Sequence, residues 1–216
     1  MDLEREKRRA AQAAAELVEA GMTVGLGTGS TVAHLLDALA ARRLGITCVA
    51  TSPRTELAAR ELGIRVEPFD TLDRLDIAID GADQISPDGW LVKGGGAALT
   101  REKIVACAAD RFVVIADSSK PVPTLRPPIP LELLAFGLAV TLRQLADATI
   151  RDLPPSPDGG VIADYRGDVS DPAALSDWLD SVPGVVDHGL FAPRIVSTVI
   201  VARGDSVELS APGGGA

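Results

Sequence analysis

Five short segments of this chain gather carboxylates, lysines and glycines in patterns that suit the binding and proton chemistry of a small anion. The first is Gly27-Thr28-Gly29-Ser30-Thr31, three hydroxyls set among glycines just before an apolar helical pattern. Glycine lets backbone N–H groups approach a ligand, and a helix N-terminus favours negative charge, so a phosphate fits there. A plain turn with Ser30 as helix N-cap would account for the same residues taken alone. Gly25, Gly27 and Gly29 fail the dinucleotide fingerprint, which needs its third glycine where Ser30 stands. No Gly-Lys-Ser/Thr follows, so nucleotide cofactors are disfavoured.

The second segment, Asp80-Gly81-Ala82-Asp83, sets two carboxylates three residues apart around a glycine. Such a pair can hold sugar hydroxyls or move protons, although aspartate and glycine also build ordinary turns. Lys93 places an ammonium directly before Gly94-Gly95-Gly96, and three consecutive glycines carry an entropic cost that calls for a compensating role. Glu102 falls in the first turn of the helix TREKIVACAA, with Thr100 as the expected N-cap. A glutamate there can simply complement the helix dipole. The helix begins four residues beyond the glycines, however, so its N-terminus should face the same crevice. Asp117-Ser118-Ser119-Lys120 brings a further lysine to another strand end.

His34 and His188 are the only histidines, one in a helical pattern and one in a loop, and both read as structural. That excludes a histidine-rich metal site and disfavours a serine triad. A phosphate cradle, paired carboxylates, lysines and a glutamate together describe a metal-free site for a small phosphorylated polyol, with proton transfer as the reaction.

The elements that must position these residues alternate. A charge-dotted helix is expected from Asp2 to about Ala20, stopped by Gly21, with its charges crowding a solvated face. Strands are expected at Met22 to Leu26, ITCVAT, IRVEP, LDIAID, a short WLV and FVVIAD, with helices TVAHLLDALAAR, TELAARELG and TREKIVACAA between them. This order implies a mostly parallel, doubly wound α/β sheet, in which ligands bind beyond the carboxyl ends of the strands. Every segment singled out above follows such a strand. PVPTLRPPIP then excludes a continued helix or a central strand, so a boundary falls near residue 130. The chain divides into 1–129 with 195–216, and a smaller α+β unit over 130–194. That unit reads as a helix LELLAFGLAVTLRQLAD, strands near Ala148 to Arg151, Val161 and Val185, and a helix DPAALSDWLDSV. Leu153 to Gly160 is expected to be a mobile loop, IVSTVIVARG a strand returning to the first sheet, and the terminal GGGA a frayed tail.

The 216 residues are 46% hydrophobic, enough for a sizeable core. A net charge of -9 repels nucleic acid and acidic membranes, and 3% aromatic residues leave little for base stacking. Cys48 and Cys107 lie in apolar stretches without metal-ligand spacing and read as buried thiols of a reducing compartment. With no signal peptide and no transmembrane stretch, a cytoplasmic location is expected.

VGLGTGST, DIAIDGAD, LVKGGGAALTREKI and FVVIADSSK resemble, in family order, ribose-5-phosphate isomerase of the A type, with weaker similarity at PGVVDHGLFAPR. The resemblance implies a Rossmann-like domain with a small α+β domain, assembled as a homodimer or homotetramer. It implies interconversion of D-ribose 5-phosphate and D-ribulose 5-phosphate through an enediolate, in the non-oxidative branch of the pentose phosphate pathway, with no metal or organic cofactor. Glu102 would be the proton acceptor, Asp80 and Asp83 would hold the opened sugar, and Lys93 would stabilise the enediolate oxygen. Thr28, Gly29, Ser30 and Thr31 match the family's substrate loop, Gly94, Gly95 and Gly96 its second loop, and Lys120 the lysine of DxSK, with Gly81 and Ala82 also expected to bind substrate. Family members commonly read DGADE where this chain has Gln84, and SPDGGVIADYRG replaces a TDNGN-type turn. An isomerase of a different phosphorylated aldose, and a non-catalytic sugar-phosphate sensor, are the alternatives.

Overall fold

The computed structural model describes residues 2–212, so the GGGA tail lies outside the described residues. The chain begins with α1 (Leu3–Ala15), β1 (Thr23–Leu26), α2 (Ser30–Arg42), β2 (Thr47–Ala50), α3 (Pro53–Glu61), β3 (Arg65–Val66) and β4 (Ile77–Gly81). Then come β5 (Gln84–Ile85), β6 (Leu91–Val92), α4 (Leu99–Cys107), β7 (Phe112–Asp117), β8 (Ile129–Leu133), α5 (Leu138–Leu145) and β9 (Ala148–Ile150). The last elements are β10 (Val161–Tyr165), α6 (Pro172–Ser181), β11 (Val185–His188), β12 (Leu190–Phe191), β13 (Thr198–Arg203) and β14 (Ser206–Ser210).

The central sheet has the order β14-β13-β7-β4-β1-β2-β3 and is parallel except for β14, which pairs antiparallel with β13. The chain leaves β1 towards β2 and β3, then returns to add β4, β7 and β13 on the other side. The carboxyl ends of β1 and β4 therefore flank the point where the winding reverses, which is where a crevice opens in such sheets. Helices α1, α2 and α3 cover one face and α4 the other, and β7 is buried along its whole length, as a strand covered on both faces must be. The expected returning strand is β13, aligned with β7 from Thr198↔Val113 to Ala202↔Asp117.

Helix α1 is capped by Asp2, which accepts from the Arg5 N–H, but it stops at Ala15 rather than near Ala20. The Leu17 and Val18 N–H groups bond three residues back, and the Arg42 guanidinium takes the carbonyls of Ala15 and Val18, so the last turn unwinds well before Gly21. One α1 carboxylate is not on the solvated face: Glu6 is buried and accepts from Ser118 N–H (2.9 Å), Ser118 Oγ (2.6 Å) and Gly204 N–H (2.8 Å), hooking the helix to the end of β7.

The larger correction falls after residue 128. The expected helix from Leu131 is instead β8, a fully buried strand, followed by the short α5. Pro130 biases Ile129 towards extended backbone, and Ile129, Leu131 and Leu133 bury together in a third core, overriding the helical spacing of the leucines. Gly137, at φ 71°, then begins α5. Proline is also admitted to a central strand, contrary to expectation: in the antiparallel sheet β11-β8-β10-β9, Pro130 lies one residue beyond the β11 register. Its carbonyl accepts from Gly189, so the missing N–H faces that side and no bond to β10 is lost.

The loop expected to be mobile is tethered. Ser156 is buried and bonded to Glu132, and Asp158 takes both Nε and Nη2 of Arg101 at 2.7 Å. A third sheet, β12-β6-β5, was legible only as the fragment WLV, because two-residue strands carry no periodicity. Cys48 is buried as expected, whereas Cys107 is exposed: α4 buries Leu99, Glu102, Val105 and Ala106, leaving Cys107 on the outer face.

Candidate active site

Gly27 to Thr31 cross the end of β1 and enter α2. The N-cap is Gly29, at φ 133°, rather than Ser30, which is already the first helical residue. Only glycine adopts that backbone readily, and the shift leaves the Ser30 and Thr31 hydroxyls on the first turn beside the helix N–H groups. The Thr28 hydroxyl is instead paired with Thr51 Oγ1 at 2.9 Å.

At the end of β4, Asp80 is buried and its oxygens are committed within the protein. Oδ1 accepts from Thr28 N–H (3.0 Å) and Gly81 N–H (2.7 Å), and Oδ2 accepts from Lys93 Nζ (2.7 Å). Lys93 Nζ also donates to the Gly81 carbonyl at 2.6 Å and lies 3.2 Å from Glu102 Oε2. That last approach is an ion-pair contact outside hydrogen-bond alignment, so Glu102 Oε2 is a buried oxygen with no hydrogen bond. The Phe191 ring closes the far side of the ammonium, 5.4 Å from centroid to Nζ.

Two buried carboxylates thus share one ammonium, and geometry decides which holds the charge. Burial raises the Asp80 pKa, opposed by Lys93 and by two backbone amides. Burial lowers the Lys93 pKa, but Asp80 and Glu102 outweigh it and the net direction is upward. Glu102, which has no backbone amide donor of the kind that holds Asp80, is pushed up to about 7 by burial and then by the Asp80 charge, with Lys93 pulling the other way. It is the member of the trio poised to exchange a proton near neutral pH.

Helix α4 sets Glu102 in place through its neighbours. Its N-cap is Ala98, not Thr100. The Thr100 hydroxyl donates to buried Glu132 on β8 at 2.5 Å, Arg101 pairs with Asp158, and Lys103 pairs with Asp187 and donates to the His188 carbonyl at 2.7 Å. Three of four consecutive side chains bind the antiparallel sheet and its loops, and only Glu102 faces the cleft. Asp83 Oδ2 accepts from Gly95 N–H at 2.8 Å, joining the segment after β4 to the glycine turn.

These loops enclose a cleft of about 110 Å³ lined by Thr28 to Thr31, Gly81 to Asp83, Lys93 to Gly96, Glu102, Lys120 and Lys7. All the expected site residues converge here except Asp80, which lies behind Lys93. Lys7 is an addition. Its place on α1 looked solvated, and no local signal marks it, because the tether that brings it here joins Glu6 to residues 112 and 198 positions away. A larger depression of about 570 Å³ beside Asp88, Leu125 and Asp168 gathers no comparable set of charges. Among the described residues no three His, Cys, Asp or Glu side chains are grouped to hold a metal ion, and no helix is long and apolar enough to cross a membrane.

Glycines permit this close packing. A Cβ at Gly27 would fall 1.9 Å from the Asp80 carboxylate, and one at Gly95 would fall 2.9 Å from Asp83 oxygens. Gly27→Ala is expected to cost about 1 to 3 kcal/mol, the range for overpacking a filled interior, and to lower activity by displacing Asp80 from Lys93. Chemical denaturation and kcat/KM measured on the same preparation would check both; unchanged values would show that Asp80 can move freely.

Residues 47–206 match the family model of ribose 5-phosphate isomerase A, also called phosphoriboisomerase A. The chain belongs to this family. It is 50% identical over 206 residues to ribose-5-phosphate isomerase A of Caulobacter sp. (strain K31), covering 88% of this chain and 91% of that protein. Its fold is similar to the crystal structure of ribose 5-phosphate isomerase A from Neisseria gonorrhoeae, with a TM-score of 0.92 and 31% identity over 97% of each chain. It is equally close to a D-ribose-5-phosphate isomerase in complex with phospho-erythronic acid, with a TM-score of 0.91 and 34% identity over 98% of this chain and 100% of that one. A shorter match, over residues 3–66, is to the DeoR C terminal sensor domain.

Within the family, the departure at Gln84 does not touch the cleft. Its amide donates to the Arg126 carbonyl at 2.7 Å and accepts from the Arg126 N–H at 2.8 Å, a two-way clamp that a carboxylate could not make. The histidines stay structural. His34 faces Glu4 at 3.2 Å, and buried His188 accepts from the Leu190 N–H, its pKa brought down to about 3 by burial and by Lys103.

Proposed function

We propose that this chain interconverts D-ribose 5-phosphate and D-ribulose 5-phosphate, with Glu102 carrying a proton between C2 and C1. The phosphate sits at the N-terminus of α2, against Ser30 and Thr31, with Lys7 and Lys120 supplying positive charge. Glu102 removes the C2 proton of the opened aldose, giving an enediolate, and returns it to C1. A proton moves from O2 to O1 in the same exchange, leaving a C2 ketone and a C1 alcohol. Lys93 stabilises the negative oxygen. Asp83 holds the sugar hydroxyls, while Asp80 acts through Lys93 by keeping its ammonium in place.

The observation that carries this reading is the place of Glu102 in the cleft wall, buried and 3.2 Å from the Lys93 ammonium, in a carboxyl group whose pKa is pushed up to about 7. The active form is the carboxylate, so kcat/KM should rise with pH, level off above about 7, and fall about tenfold per unit below it. A pH–rate profile for ribose 5-phosphate checks this: an acid limb near 4.5 would show that burial does not raise the Glu102 carboxyl, and an acid limb that persists unchanged in Glu102→Gln would remove Glu102 from the role.

The division into 1–129 with 195–216 and 130–194 belongs to the same reading, the first part holding the cleft and the second bracing α4. A cytoplasmic homodimer or homotetramer is also part of it. The free thiols Cys48 and Cys107 suit a reducing compartment, and Leu134, Phe136 and Val140, all exposed around the start of α5, suit cover by another copy. The sensor alternative draws on the match over 3–66, which includes the phosphate loop but not Glu102. Ribose 5-phosphate binding without turnover would favour it.

A further inference from the structure

Arg151 directly follows β9 and reaches from the antiparallel sheet to the glycine turn of the cleft. Its Nη1 donates to the carbonyl oxygens of Gly94 at 3.1 Å and Gly95 at 3.4 Å. Nε and Nη2 both donate to Asp164 Oδ1 on β10, at 3.0 and 2.6 Å. The two side chains are mostly buried, 17% and 13% exposed. A guanidinium is a rigid plane, so an aspartate gripping one edge fixes where the opposite corner points.

The consequence for the turn follows from peptide planarity, because C=O and N–H of a trans peptide point in opposite directions. In the 94–95 peptide, Arg151 holds the oxygen and Asp83 accepts the N–H, so the plane is gripped at both edges. In the 95–96 peptide, Arg151 holds the oxygen, which turns the Gly96 N–H away from Arg151. Among the described residues, that N–H donates to no backbone or side-chain group, and Gly96 lines the cleft.

We propose that Arg151 is a positioning residue for the isomerisation, gripping the Gly94 and Gly95 carbonyls so that the Gly96 N–H donates to the oxygen that becomes negative in the enediolate. This rests on the isomerase reading above. A donor aimed at developing charge is worth more to the intermediate than to the bound substrate. Phospho-erythronic acid, a four-carbon phosphorylated acid whose planar carboxylate resembles the enediolate, is the discriminating probe.

The experiment compares wild type, Arg151→Ala and Arg151→Lys for kcat and KM with ribose 5-phosphate and for inhibition by phospho-erythronic acid. Arg151→Ala should lower kcat and weaken inhibition by about 10- to 100-fold each, while KM moves less than about threefold. Arg151→Lys, a point donor that cannot span both carbonyls and Asp164, should fall between. A merely structural role would reduce the active fraction and leave the inhibition constant unchanged, which would overturn the proposal. Should Arg151→Ala fail to fold, Asp164→Asn is read in the same way. An inactive wild type would overturn the isomerase reading; an active wild type with an unaltered inhibition constant in the variants overturns only the role of Arg151.

Discussion

Glu102→Gln should retain the fold and lose about 100- to 10,000-fold in kcat, the usual contribution of a positioned proton-transfer group. The amide keeps the shape of the side chain but cannot accept the C2 proton. The same variant should be more stable than wild type at pH 8. Below the ordinary value of 4.5, Glu102 is protonated in both folded and unfolded chains and contributes nothing. Between 4.5 and about 7 the unfolded chain releases the proton while the folded chain keeps it, so stability is lost as pH rises through that window. Above it the loss is full, on the order of 3 kcal/mol. Denaturant unfolding of both proteins at pH 4.5 and 8 should therefore show a gap in favour of Glu102→Gln that opens with pH. Wild-type turnover, or a gap that closes with pH, would contradict the assignment of Glu102 as a strained base.

Lys93→Met should have the largest effect on stability. Its ammonium is the cation facing both Asp80 and Glu102, at 2.7 and 3.2 Å, and all three side chains are buried. Removing one partner of a buried ionic cluster leaves uncompensated charge and costs about 3 to 5 kcal/mol. The remaining carboxylates can escape that cost only by taking up protons, so their pKa values should climb further and the loss should grow from pH 5 to pH 8. Activity should vanish with it, since the enediolate loses its counter-charge and Glu102 holds its proton at neutral pH. Denaturation curves at the two pH values check the stability claim. A pH-independent loss would mean that Lys93 matters by packing against Phe191 rather than by charge.

The parallel sheet and the place of its crevice could be read from the chain because both rest on local features. Apolar runs such as FVVIAD and glycine-rich strand ends announce a strand covered on both faces and a loop that meets a ligand. Lys93, Asp83 and the Ser30-Thr31 turn follow from that rule, Glu102 follows from a helix that starts just beyond the glycines, and the role of each comes from the family resemblance. What escaped rests on contacts distant in sequence. LELLAFG has the spacing of a helix, and burial beside β10 and β11, added to the extended bias that Pro130 gives Ile129, makes Ile129–Leu133 a strand. Thr100 looks like an N-cap but is drawn away by Glu132, 32 residues on. Lys7 enters the cleft because Glu6 is anchored to Ser118 and Gly204, and Arg151 meets the glycine turn across 57 residues. Asp80 belongs to the cluster but lies behind Lys93 rather than in the cleft wall, because spacing cannot say which of two aspartates faces the cavity and which one backs the lysine.

The most direct test of proton transfer at Glu102 follows ribose 5-phosphate with the purified protein in deuterated solvent and excess chelator, reading both ribulose 5-phosphate formation and the fate of the C2 proton. Conversion accompanied by deuterium at C1 of the ketose, and by loss of the C2 proton from recovered ribose 5-phosphate, is the predicted result, with both signals suppressed in Glu102→Gln. Ribose 5-phosphate that binds but is neither converted nor exchanged would contradict the account and favour a sensor.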